Sequence, residues 1–140
     1  MQIPIVDVLQ QLLAEEQQGI FHYLGESGAY VCTKLAALSR PLQLMIQQHR
    51  RYESELTGMI ELQGGVIPPI VVNMEMQTLA YLAVEFLLPK LIEEKKTTIS
   101  RYQEAIAAAG ETSADGQVLA RHLAGHREDL ARLESFAQRR

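Results

Sequence analysis

At 140 residues with 47% hydrophobic and 21% charged side chains, the chain is long enough to bury a core of its own and too apolar to be a disordered tail. A formal net charge of −4, with Arg139-Arg140 the only local basic cluster, excludes a nucleic-acid reader. A single cysteine, Cys32, excludes an internal disulfide and suits a reducing, cytoplasmic compartment; its expected role is packing, not nucleophilic attack. The start, MQIPIVDVLQQ, has neither the basic flank nor the long apolar run of a signal peptide. The most apolar region, Met76 to Leu88, contains Glu85 and is too short to span a bilayer, so no membrane partner is expected.

In chain order, Leu9, Leu12, Leu13, Ile20, Tyr23 and Tyr30 keep a helical period from Ile5 to about Tyr30, with Glu16 among them. Gln10, Gln11, Gln17 and Gln18 supply the solvated side, and Gly25 and Gly28 weaken the helix without stopping it. Ser39-Arg40-Pro41 reads as a cap and first turn opening a second helix to Gln63, where Gly64-Gly65 ends it. VIPPIVVN is extended because residues before proline avoid helix, and MEMQTLAYLAVEFL is a short apolar helix in a long crossover. Pro89 opens a third helix running to Gly110, with Leu88, Leu91, Ile92, Lys95, Ile99, Tyr102, Ile106 and Ala109 inward. GETSADG turns the chain into a fourth helix from about Gly116 to Ala137.

Two helices repeat one pattern. Leu42, Ile46, His49, Tyr52 and Leu56 lie on one face, and Leu119, Leu123, His126, Asp129 and Leu133 repeat the same steps. Polar atoms thus interrupt each apolar stripe. The other two helices also correspond, because Ile and Tyr follow both Glu16 and Lys95 at four and seven residues. Four helices with one long crossover after the second make an all-α four-helix bundle over residues 1–140, a single domain with an extra short helix in the crossover.

With these residues in place, the chain resembles the ferritin-like superfamily of bacterioferritins and rubrerythrin-like proteins. The resemblance covers nearly the whole chain in pattern, and ELQGGVIPP is similar to the turn that follows the second helix there. It implies two iron or manganese ions held by a Glu on the first and third helices and Glu-x-x-His on the second and fourth. Glu16 matches, with Tyr23 seven residues on. His49 and Tyr52 stand where the second helix would carry Glu and His; His126 and Asp129 stand so on the fourth. Lys95 stands for the third-helix Glu, with Glu94 beside it as a substitute if the helix is rotated. An imidazole offers one lone pair where a carboxylate bridges with two oxygens, and an ammonium offers none. A normal di-iron centre is therefore not expected, and ferroxidase chemistry does not follow from the fold.

Two readings of the cluster remain open. In one, Glu16, His49 and His126 hold a single Fe, Mn or Zn ion, with Tyr52 or Asp129 completing the shell, in a protein of metal-handling or oxidoreductase type. In the other no metal is bound, and Lys95 pairs with Glu16 and Asp129 while the histidines and Tyr52 complete a hydrogen-bond network in a binding or structural protein. The apolar crossover predicts a homodimer. His22 is expected at the solvent, His122 at the edge of the stripe or in an i, i+4 zinc pair with His126, and Met74 and Met76 in packing. Arg50, Arg51, Glu53 and Glu55 read as surface pairs.

Overall fold

A computed structural model describes residues 4–31 and 33–138, with the side chains of residues 33 and 34 left aside; Cys32 and Arg139-Arg140 lie outside the described residues. The chain is all-α. Helices α1 (Ile5–Gln18) and α2 (Ile20–Ser27) lead through a 3-10 segment, Thr33–Leu38, into α3 (Ser39–Leu62). An extended crossover carries α4 (Met74–Leu79), and α5 (Val84–Ala109) and α6 (Ala114–Gln138) complete the chain. Among the described residues the only β pairing is an isolated bridge between Tyr30 and Ala83. Helix α5 packs along α6, α1 and α2 pack on α3, and α1 also lies against α5.

The first helix is not continuous as its periodicity predicts. It breaks at Gly19, which is extended at φ −82° and ψ 164°, a conformation open to any residue. The reason for glycine here is space: a Cβ would lie 3.0 Å from Glu94 Oε2. Glu94 reaches across from α5 and accepts the Ile20 N–H at 2.8 Å, capping α2 where its own sequence supplies no capping side chain. Helix α2 then ends at Ser27, before Tyr30, with Gly28 at φ 82°.

Other boundaries shift for equally local reasons. Ser39 is already helical and Leu38 precedes it as a cap without a capping side chain. The end of α3 falls as expected, with Gly64 at φ 72°. Gly65 beside it leaves room for Val6, whose Cγ2 would sit 2.3 Å from an added Cβ. Pro89 does not open the third helix. Val84 to Leu88 belong to α5 instead, because Val84 donates its N–H to Tyr30 O at 2.8 Å and fixes the start five residues earlier. The helix carries Pro89 within it at the loss of one internal hydrogen bond. The short crossover helix is accordingly only Met74–Leu79, capped by Asn73, whose side chain accepts from Met76 N. Ser113 caps α6 by accepting the Gly116 N–H at 2.9 Å.

The interior is divided. One apolar cluster contains Ile20, Leu42, Ile46, Leu88, Leu91 and Leu133, and a second contains Leu9, Leu13, Leu56, Ile60, Leu119 and Leu123. Along α1 and α2 taken together, along α3, and again along α5 and α6, a buried ionisable residue falls between the members of the two clusters: Glu16, His49, Lys95 and His126. The polar layer crosses the middle of an otherwise apolar core.

Candidate functional site: a buried ionic layer

Lys95 is 2% exposed, so its ammonium must find partners or lose its charge. Its Nζ donates to His126 Nδ1 at 2.9 Å and to Asp129 Oδ2 at 3.2 Å, and lies 4.3 Å from the centre of the Phe21 ring. An ammonium only donates, so His126 accepts at Nδ1 and carries its proton on Nε2. Burial first, then the positive charge of Lys95, holds His126 well below the usual imidazole range, so it is neutral. Burial raises Asp129 more than Lys95 lowers it.

Across the layer, His49 sits between two carboxylates. Its Nε2 lies 3.0 Å from the Glu16 carbonyl oxygen and 3.1 Å from Glu53 Oε2, both acceptors, so this nitrogen donates. Its Nδ1 lies 3.1 Å from Glu16 Oε2, close enough for charge attraction but out of line for a hydrogen bond. Burial alone would lower His49, and Glu16 and Glu53 reverse this and raise it, favouring the imidazolium. Glu16 is raised by burial despite His49 and Lys95. Burial would also raise Glu53, but His49 and His22 lower it below the usual range. His22 is not a solvent residue: its Nδ1 meets Glu53 Oε2 at 3.1 Å and its Nε2 meets Glu26 at 3.3 Å.

A third group occupies the α3–α5–α6 side. His122 is 1% exposed, with Nε2 on the Glu55 carboxylate and Nδ1 accepting the Tyr102 hydroxyl at 3.1 Å. Tyr52 stacks on His122 with ring centres 4.1 Å apart. Its hydroxyl is buried without a hydrogen-bond partner and presses on the backbone of Gly125, where an added Cβ would meet it at 1.9 Å. Burial first, and nearby carboxylates second, push Tyr52 and Tyr102 far above the ordinary phenol range, so both keep their protons.

The expected metal ligands are thus only partly brought together. Glu16, His49 and His126 converge, and Glu16 Oε2, His49 Nδ1 and His126 Nε2 are buried without hydrogen-bond partners. Yet the His126 nitrogen facing Glu16 Oε1, at 3.7 Å, carries a proton because Lys95 holds the other lone pair. Tyr52 points at Gly125, Asp129 at Lys95 and Glu94 at the α2 N-terminus. Among the described residues no three His, Cys, Asp or Glu side chains are arranged to hold a metal ion. The donor set does not fit one.

Several participants are absent from the stripes. Glu53 and Glu55 are not surface partners of Arg50 and Arg51 but the acceptors for His22, His49 and His122. Arg50 instead donates to the Gly25 carbonyl. Lys95 reaches Asp129 as one of the two readings expects, but its other partner is His126, not Glu16. The i, i+4 step from His49 to Glu53 was the signal available for one of these contacts. Met76 packs on the core but Met74 is exposed. No protein-family model matches this chain, and neither a curated protein nor a solved structure is similar to it at a significant level.

Proposed function

We propose that this chain is a ferritin-like four-helix bundle in which protein charges stand in the place of metal ions, and that it works as a binding protein rather than a redox enzyme. The observation carrying this reading is Lys95 Nζ, buried between His126 Nδ1 and Asp129 Oδ2 in the central layer. A fixed cation there repels a second cation and occupies the lone pair of one of the two histidines. What favours the ferritin-like assignment is the order of four long helical segments around a crossover, with one polar residue from each meeting in the middle.

The test is elemental analysis after incubation with Fe(II), Mn(II) and Zn(II), beside a His49→Ala/His126→Ala variant. The expected result is no stoichiometric metal in either protein. About one ion per chain, lost in the variant, would restore the mononuclear site. The convergence of three buried atoms of Glu16, His49 and His126 that make no hydrogen bond is the observation on that side.

A homodimer through the crossover belongs to the same proposal. Val66, Ile70, Val71, Val72 and Met74 are exposed there, and Phe86 is 77% exposed at the start of α5. No helix among the described residues is long and apolar enough to cross a membrane. The lone Cys32 favours a reducing, cytoplasmic setting.

A further inference from the structure

His49 belongs to the buried ionic layer, yet a series of side chains joins it to the surface. Its Nε2 lies 3.1 Å from Glu53 Oε2, and the same oxygen lies 3.1 Å from His22 Nδ1. The opposite nitrogen of that second ring, His22 Nε2, lies 3.3 Å from Glu26 Oε1. Side-chain exposure rises along the series from 5% at His49 to 58% at Glu26, with Glu53 and His22 between them. Only two helices supply the four residues. His22 and Glu26 are one turn apart on α2, and His49 and Glu53 one turn apart on α3, so two i, i+4 pairs meet across one seam.

Acid and base alternate at every step. A carboxylate oxygen can take a proton from one imidazole and give it to the next, and an imidazole can gain a proton at one nitrogen while losing one from the other. The two inner steps fall within the reach for proton transfer, about 2.6–3.2 Å, and the outer one joins groups that both meet solvent. The other charged or titratable groups facing His49 belong to the layer: Glu16 from α1, Lys95 and Glu94 from α5, and His126 from α6. Glu16 is the nearest, with its Oε2 3.1 Å from His49 Nδ1. Burial opposes charge on His49, and Glu16 with Glu53 overrides it; burial opposes charge on Glu53, and His49 with His22 overrides that. At rest the proton therefore stays on His49 and Glu53 stays ionised, so Glu53 carries a proton only in passage.

We infer that Glu26, His22, Glu53 and His49 form a proton path from solvent to the buried layer, which lets the layer exchange protons without the bundle opening. Outward, the Nε2 proton of the His49 imidazolium passes to Glu53 Oε2 and from there to His22 Nδ1. His22, which begins neutral with its proton on Nε2, releases that proton to Glu26, and Glu26 gives it to water. One proton leaves, and both rings end neutral with a proton on Nδ1. Inward passage from water reverses each step and restores both rings. The path rests on the metal-free reading, because an ion on His49 Nδ1 would hold that ring neutral.

The test is the exchange of imidazole N–H protons with water in the full chain carrying nitrogen-15 histidine, read by saturation transfer and assigned with His49→Gln and His126→Gln variants. His126 gives the internal comparison, because its Nε2–H is buried in the same layer without a hydrogen-bond partner. The His49 Nε2–H is expected to exchange at least about tenfold faster than that of His126, which waits for the helices to open. Glu53→Gln keeps an oxygen that accepts from His49 but takes up no proton, and His22→Phe keeps a ring without its nitrogens. Each slows His49 exchange to the rate of His126 and leaves His126 unchanged. A residue that only held α2 against α3 would act the opposite way, since loosening the seam speeds both exchanges. Thermal melts establish that each variant is folded, and the wild-type comparison holds whether or not they are. Equal exchange at His49 and His126 in the wild type overturns the path, as does His49 exchange that survives either variant. If elemental analysis finds that protein free of metal, the metal-free reading still stands; a stoichiometric ion lost in His49→Ala/His126→Ala overturns both.

Discussion

A lysine ammonium in a protein interior is tolerated only with compensation, and Lys95 has it from His126, Asp129 and the face of Phe21. Removing one partner of such a pair is worse than removing both. Lys95→Met is expected to destabilise the fold by about 3 kcal/mol, because it strands the Asp129 carboxylate, and Lys95→Met/Asp129→Asn is expected to recover most of that. Urea unfolding of the wild type, the single variant and the double variant checks this; a double variant no more stable than the single would mean the pair is not coupled. Gly125 makes a steric prediction. Its Cβ position is 1.9 Å from the Tyr52 hydroxyl, so Gly125→Ala should cost about 1–3 kcal/mol despite alanine's better helix propensity. Gly125→Ala/Tyr52→Phe should regain part of it, measurable in the same unfolding experiment. The histidines set a pH dependence. His126 is held below the ordinary value of 6.5, so above that pH both folded and unfolded chains are neutral there. As pH falls below 6.5 the unfolded chain takes up the proton first, and stability linked to this group is lost. The stability gap between wild type and His126→Gln should therefore narrow from pH 7.5 to pH 5.5, read as the difference in thermal midpoints.

At the scale of elements, the break between α1 and α2 shows how a distant side chain sets a boundary. Hydrophobic periodicity continues through Gly19, since Leu9, Leu13, Ile20 and Leu24 all remain buried. The helix nevertheless divides there, where Glu94 from α5 accepts the N–H of Ile20. Glu94→Ala is expected to cost about 1 kcal/mol or more through loss of this cap, with faster amide exchange confined to the first turn of α2. Uniform exchange across α1 and α2 would contradict that role. Pro89 teaches the complementary lesson. Proline's preference for a first turn is real, but the Tyr30–Val84 hydrogen bond and the burial of Val84, Leu87 and Leu88 extend α5 upstream of it.

For the molecule as a whole, the division of the core into two apolar clusters by a layer of Glu16, His49, Lys95 and His126 has consequences for specificity. Sliding any one helix by a turn would place one of these groups against leucines, so the layer penalises alternative registers. The exposed crossover is a separate matter at this scale. A dimer by sedimentation at micromolar concentration is expected, converting to monomer when Val71→Lys and Phe86→Lys are combined; a wild-type monomer would contradict the proposed interface.

Which residues face inward was legible from the sequence, because burial of a helix stripe follows a period of 3.6 that each segment carries within itself. His49, Tyr52, Lys95 and His126 were found in this way, and all four are buried. Of their partners only Asp129, opposite Lys95, was legible as well. Glu53, Glu55 and His22 lie off the stripes and on composition alone read as ordinary surface charge, and Glu94 stood out only as the neighbour of Lys95. Whether such a side chain meets solvent or a buried imidazole depends on the rotation of one helix against another and on a few ångströms of reach. The break at Gly19 belongs to the same class, being caused by a carboxylate 75 positions away in the chain. The spacing of apolar residues is a local property and the sequence determines it; the direction in which each polar side chain finds its partner is a property of the assembled helices, and only the tertiary structure decides it.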